Sequence, residues 1–170
     1  MPEPVIIVDY DPQWPVIFNK LKINVLTVLG NLPVTIEHVG STSVPGLAAK
    51  PVIDMDIVVK SSEDIPETIQ RLATLGYVHE GDLGITGREA FSAPEGYPGH
   101  HLYLCTQDSR KLHRHLVFRD YLRQHPEVAA EYGKLKKGLA QKYRDDREGY
   151  TEAKTEFIEN ILGYMKKGND

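Results

Sequence analysis

Residues 52–59, Val-Ile-Asp-Met-Asp-Ile-Val-Val, constrain the fold of this chain more than any other stretch. Apolar and β-branched side chains dominate it, a composition suited to a strand in the middle of a sheet. Alternation along such a strand puts Ile53, Met55 and Ile57 on one face and Asp54 and Asp56 on the other. Two residues along a strand separate Cα atoms by about 6.6 Å, near enough for both carboxylates to share one cation. Like charges placed where an apolar run implies burial require compensation. A divalent metal, Mg²⁺ or Mn²⁺, provides it, because such ions take one or two carboxylates together with substrate phosphates. A half-exposed strand with a solvated acidic face satisfies the same pattern, so Asp-x-Asp alone does not decide between them.

The segments around this strand predict an α+β chain. Residues 4–9 suit a short strand or an extended lead-in. Trp14, Phe18, Leu21, Val25 and Val28 recur at three- and four-residue steps and predict a helix from about Pro12 to Leu29. Gly30, Asn31 and Pro33 stop it. Residues 34–39 form a second β-branched run. A helix capped by Ser61 or Ser62 reaches about Leu75 and ends at Gly76. A Gly-rich hairpin over 77–93, a loop over 94–99 and a strand over 100–105 follow. Helical periodicity then covers 109–124, 126–144 and 149–165, with Pro126 and Gly149 as the joints. The expected architecture is a mixed β-sheet with flanking helices and a C-terminal helical segment. Residues 1–170 are expected to form one domain, a length that can bury a sizeable core.

Between the two β-branched runs lies His38-Val39-Gly40-Ser41-Thr42-Ser43-Val44-Pro45-Gly46-Leu47. Gly40 permits close backbone approach, and Ser41, Thr42 and Ser43 place three hydroxyls beside exposed amides. Such a loop can form an anion-binding concavity. It lacks the Gly-x4-Gly-Lys-Ser/Thr spacing of a Walker A loop, and Gly-Ser with Pro-Gly also serves ordinary turns. Its position just before Asp-x-Asp narrows the choice. Hydroxyls, amides and carboxylates around one cleft suit metal-bound triphosphate chemistry, in which positioning and charge neutralisation do most of the catalysis. Lys50 and Arg88 flank this region in sequence and are candidates for phosphate contact.

Charge and cysteine content exclude several other classes. The net charge of -4 argues against a dedicated nucleic-acid binder. Residues 1–85 carry 5 Lys/Arg against 11 Asp/Glu, whereas residues 86–170 carry 15 against 13. Cys105 is the sole cysteine, which rules out an intrachain disulfide and a thiolate zinc cluster. The N-terminus has no basic region followed by a long apolar one, and no apolar stretch reaches the ~20 residues of a membrane span. A cytoplasmic location without membrane partners is the expectation.

The Gly-Ser pair followed by paired acids resembles the signature of the polymerase-beta-like nucleotidyltransferase superfamily. More specifically, HVGSTSVPGLAAKPVIDMDIVV at 38–59, HHLYLC at 100–105, LVFRDYLRQHPEVAAEY at 116–132 and DDREGYTEAKTEFI at 145–158 resemble the GrpB family. The resemblance covers most of the chain and implies a nucleotidyltransferase-like fold. Family members largely lack an assigned reaction, and some are joined to dephospho-CoA kinase, which points toward nucleotide or coenzyme metabolism. The superfamily usually places a third carboxylate on a later strand. Here that strand is His100–Cys105, which has no acid, and His101 occupies the matching place. A histidine there suits a general base or a ligand for softer divalent ions, and equally a hydrogen-bonded residue of the sheet face. Glu80, Asp82 and Glu89 in the hairpin are alternative acids.

His38 is expected to be structural. His113 and His115, two residues apart, do not share a helix face. Arg119 and Arg123 are four apart beside Asp120 and share a face, where salt bridging, the favoured reading, competes with phosphate recognition. The resemblance also draws attention to Tyr150 and Lys154, one helical turn apart, for base stacking and triphosphate contact; a core tyrosine beside a solvated lysine fits too.

Taken together, the expected function is metal-dependent transfer of a nucleoside monophosphate from a nucleoside triphosphate to a small-molecule hydroxyl acceptor. Asp54 and Asp56 would hold the metal, Gly40, Ser41, Thr42 and Ser43 would hold the phosphates, and His101 would assist the acceptor. Alternatives are a nucleotide or coenzyme sensor that has lost the third acid, and a metal-dependent phosphohydrolase.

Overall fold

Pro15 lies in the first turn of helix α1 (Trp14–Leu29), where its missing amide costs nothing. Gly30 ends the helix at φ +57°, its amide bonded to the Leu26 carbonyl at 3.2 Å. Trp14, Leu21, Val25 and Leu29 form the buried stripe of this helix. The computed structural model describes residues 4–168, with side chains as far as Gly163.

Five strands form one sheet: β1 (Val34–Val39), β2 (Ile53–Val59), β3 (Val78–Gly81), β4 (Arg88–Ser92) and β5 (His100–Thr106). Their order is β1-β2-β5-β4-β3. Only β2 and β5 run parallel; the other neighbours are antiparallel. Helix α2 (Ile65–Ala73) and the β3–β4 hairpin make the crossover between the two parallel strands. The mixed sheet of the sequence expectation is present.

Strand β2 divides its side chains as its alternation predicts. Ile53, Met55, Ile57 and Val59 are at most 2% exposed and join Leu21, Val25, Leu29 and Leu72 in the main core. Full burial of each such side chain contributes roughly 1.5–3 kcal/mol, so β2 is held firmly in register. Its other face carries Asp54, Asp56 and Val58, on the side where α3 (Arg110–Gln124), α4 (Pro126–Lys142) and α5 (Arg147–Gly168) pack. Those three helices have a separate core around Val44, Leu47, Leu122, Ala129 and Tyr132. Tyr132 stacks on Phe157 with ring centroids 4.9 Å apart.

Residues 4–9 are a lead-in outside the five-stranded sheet, one of the two forms expected; Val8 makes a single bridge to Ala49, through bonds of 2.9 and 3.0 Å. Helix α5 starts at Arg147 rather than Gly149, because the Asp146 carboxylate accepts the Gly149 amide at 3.0 Å and caps the helix earlier. Among the described residues no helix is long and apolar enough to cross a membrane.

Candidate active site

The chain leaves β1 through Gly40, at φ +75° and ψ -177°, and enters a one-turn 3₁₀ helix, Ser41–Ser43. Essentially only glycine adopts that backbone conformation. Contact imposes the same choice: a Cβ at position 40 would overlap the Asp54 Oδ2 oxygen and lie 3.1 Å from its Cγ. The loop backbone therefore rests directly on the first aspartate of β2. Gly40→Ala is expected to cost about 1–3 kcal/mol from backbone conformation alone, more once the carboxylate is displaced. Differential scanning calorimetry should read a fall in Tm of about 2–4 °C per kcal/mol.

The remaining loop residues divide between cleft and support. Ser41 and Thr42 line the cleft with Gly40. Ser43 is 5% exposed and does not; its hydroxyl donates to the Gly40 carbonyl, and its own carbonyl accepts from Arg123 Nε at 3.0 Å. Three consecutive hydroxyls thus do not face one ligand, because the 3₁₀ turn rotates the third inward. Thr42 Oγ1 lies 2.9 Å from His38 Nε2. The His38 ring stacks on Phe18, and burial first, then Arg123, hold its pKa at about 4. It is a neutral brace for the loop.

Each aspartate of β2 is paired with a histidine. Asp54 lies opposite His101 in the β2–β5 register, and its Oδ1 is 3.0 Å from His101 Nδ1. That hydrogen bond, ahead of the opposing effect of burial, holds the His101 pKa above the ordinary histidine value. Asp56 Oδ2 is 2.9 Å from Nδ1 of His115, which comes from α3. The two aspartates share a face, as expected, but not an environment. Asp54 opens into the main cleft, whereas the Asp56 side chain is 3% exposed beside a smaller hollow lined by Arg88 and Tyr103.

The main cleft has a volume of about 570 Å³. Asp54 is its only carboxylate among the described residues, facing Lys50, Lys111, Arg114, Arg119, Lys136, Arg147 and Lys154. Arg114 pairs with Glu159, and Arg119 with Glu37 at 2.7 Å and Asp120 at 2.9 Å. Lys50 and Lys154 hold their ammonium groups 5.7 and 5.6 Å from the centre of the Tyr150 ring. Tyr150 lines the cleft but is only 1% exposed, packed with Val5 and Ala140, so its ring is a largely buried part of the wall. Lys154 is not a solvated lysine: burial, then Lys50, lower its pKa. Arg88 does not line the cleft; its guanidinium lies over the Tyr103 ring at 4.3 Å. Cys105 is core, its thiol pushed up to about 12 by burial. Glu89 pairs with His79, and Asp82 accepts the Gly84 amide in the hairpin turn, so neither joins the aspartates.

These residues fit a divalent ion only in company with a ligand. Among the described residues no group of three or more His, Cys, Asp or Glu side chains is arranged to hold a metal. One Asp54 oxygen rests against Gly40 and the other bonds His101. A hard cation at Asp54 would therefore draw its other ligands from phosphate oxygens and water, the arrangement Mg²⁺ favours.

Two residues of this region escape sequence reasoning. His115 lies 59 residues from Asp56, and no local pattern links them. Lys136 leaves a trace: Ala129, Tyr132, Gly133, Lys136 and Ala140, spaced three or four apart, make the buried stripe of α4.

The family model described as "GrpB protein" matches residues 4–163. UPF0157 protein YqkA of Bacillus subtilis is 39% identical over 168 residues, covering 96% of this chain; the chain spans only 49% of YqkA. The glutamate-rich protein GrpB of Alkalihalophilus pseudofirmus is 35% identical, with 95% of both chains covered. The crystal structure of GrpB from Enterococcus faecalis superposes with a TM-score of 0.76 at 32% identity, over 92% of this chain and 99% of that one. A structure of the poly(U) polymerase Cid1 with MgGTP bound gives a TM-score of 0.59 at 14% identity, over 79% of this chain and 44% of that one. The fold is nucleotidyltransferase-like.

Proposed function

The chain belongs to the GrpB family, and we propose that it transfers a nucleoside monophosphate from a nucleoside triphosphate to the hydroxyl of a small-molecule acceptor. The observation that carries this is the cleft, where one carboxylate, pressed against a glycine loop, faces seven Lys and Arg side chains. Such a surface suits a polyanion whose charge is shared between cationic side chains and a cation on the carboxylate. Asp54, with Asp56 behind it, would hold Mg²⁺ or Mn²⁺, which supplies charge neutralisation at the phosphates. Gly40, Ser41 and Thr42 offer amides and Ser41 a hydroxyl to the phosphates, while the Thr42 hydroxyl, bonded to His38, and Ser43 fix the turn from behind. Lys50 and Lys154 line the same cleft, with Tyr150 in its wall; Arg88 lies outside it.

His101 takes the position of a general base. When Nδ1 donates its proton to Asp54, Nε2 is left as an acceptor. The acceptor hydroxyl gives its proton to Nε2 as its oxygen bonds to the α-phosphorus. The bond to the bridging oxygen breaks on the opposite side, and pyrophosphate leaves.

A second reading follows from the same strand. Because β5 offers no carboxylate opposite Asp54, the cleft also suits a nucleotide or coenzyme sensor without transfer activity. Thermal-shift titrations of nucleoside triphosphates with and without Mg²⁺ or Mn²⁺, followed by pyrophosphate assays with hydroxyl acceptors, separate the two. Transfer requires both stabilisation and pyrophosphate release, and a sensor shows the first alone. No metal-dependent stabilisation by any nucleotide would dismiss both.

A further inference from the structure

Lys136 is 2% exposed in the middle of α4, with its ammonium 4.6 Å from the centre of the Tyr132 ring. A lysine buried this deeply normally finds a carboxylate partner. Among the described residues Lys136 makes no ion pair. Its charged neighbours are instead Lys154 from α5 and Lys50 from the segment before β2, with Asp54 the one carboxylate acting on it. Lys50 and Lys154 are likewise unpaired among the described residues, and all three lysines line the cleft. Three ammonium groups gathered in partly buried surroundings repel one another unless an anion joins them.

We propose that Lys50, Lys136 and Lys154 form a pocket for a phosphate group that fills without a metal ion and takes up a proton as it fills. The pocket deepens the nucleotide reading of the same cleft and rests on the cleft being a phosphate site, but needs no metal on either aspartate. Its proton linkage follows from the groups facing Lys136. Burial first, then Lys154 and Lys50, hold the Lys136 pKa at about 7, and Asp54 opposes them. The Tyr132 ring stands under the ammonium, and burial keeps the phenols of Tyr132 and Tyr150 un-ionised. No other carboxylate shares that environment among the groups acting on it. At pH 8 the empty pocket therefore holds Lys136 mostly neutral. An entering dianion favours its charged form, so filling is accompanied by net proton uptake.

Sulfate is the suitable probe for the proton count, because it shares phosphate's shape and does not titrate in this range. Calorimetry with chelator present, at pH 8 in two buffers of different ionisation enthalpy, should show sulfate binding with net proton uptake. Affinity should fall as the pH rises from 7 to 9. Lys136→Met should weaken sulfate about tenfold or more and abolish the uptake; Lys136→Arg should retain binding but not the uptake. Lys154→Gln, at a less buried position, should weaken sulfate without removing the uptake entirely, and it tests the pocket even where position 136 tolerates no change. Asp54→Asn should leave sulfate binding intact while losing metal-dependent nucleotide binding, which separates this pocket from the metal site. Pyrophosphate competing with a non-hydrolysable nucleotide assigns the pocket to the nucleotide's own terminal phosphates; simultaneous binding assigns it to a phosphate on the acceptor. Absence of metal-free sulfate and pyrophosphate binding overturns the proposal. So does binding unaffected by both Lys136→Met and Lys154→Gln, or binding without proton uptake in the parent.

Discussion

Asp54→Asn should reduce metal-dependent triphosphate affinity by more than the roughly 10–100-fold that loss of a supporting residue costs at a metal site. The substitution changes one atom and keeps the shape that Gly40 rests on, so loss of charge is the main change. Asp54 is the only carboxylate lining the cleft among the described residues. Titration calorimetry with Mg²⁺ or Mn²⁺ measures the effect. Asp56→Asn is the informative companion. Its side chain is 3% exposed and bonded to His115. An equal loss there would mean that both aspartates share one ion; retained affinity would confine the ion to Asp54. Unchanged affinity in Asp54→Asn would remove the carboxylate site altogether.

His101→Asn should lower turnover by about 10²–10⁴-fold, the range for losing a positioned general base, with triphosphate affinity nearly unchanged. The expectation comes from its place opposite Asp54 and from its Nδ1 bond to that carboxylate, which leaves Nε2 available. Pyrophosphate release under saturating nucleotide reads the first effect and calorimetry the second. His101→Asp rebuilds a three-acid arrangement across β2 and β5. Transfer activity appearing in that variant and not in the parent would favour the sensor. Full turnover in His101→Asn would end the base assignment.

The parts of the fold written in local periodicity were legible in the sequence. Alternation along 52–59 placed Asp54 and Asp56 together, and it did so because Ile53, Met55 and Ile57 sit in the core at 2% exposure or less. The superfamily resemblance singled out His101 on β5, and the pairing register sets it against Asp54. Loop composition was a weaker guide. Three adjacent hydroxyls look equivalent in sequence, but the 3₁₀ turn sends Ser43 inward. Arg88 lies outside the main cleft, over Tyr103 and beside the smaller hollow at Asp56. Tyr150 was ambiguous, because its residue type suits a buried ring and an open one equally. His115 was invisible, since only tertiary packing brings α3 over Asp56. Lys136 lay hidden among Lys134 and Lys137, charges that resemble a solvated helix face until the burial stripe of α4 is traced.

The parallel pairing of β2 with β5 has a kinetic consequence. Antiparallel neighbours can zip from a tight turn, but about 40 residues separate Val59 from His100, and the chain must close that distance before the two strands meet. Contacts of such high sequence separation slow folding. Until β5 docks, the carboxylates of β2 face water with neither imidazole beside them. The β3–β4 hairpin flanks β5 through the β4–β5 ladder while contributing no lining residue to the main cleft. Assembly of the site is therefore tied to a long-range closure that the β3–β4 hairpin spans.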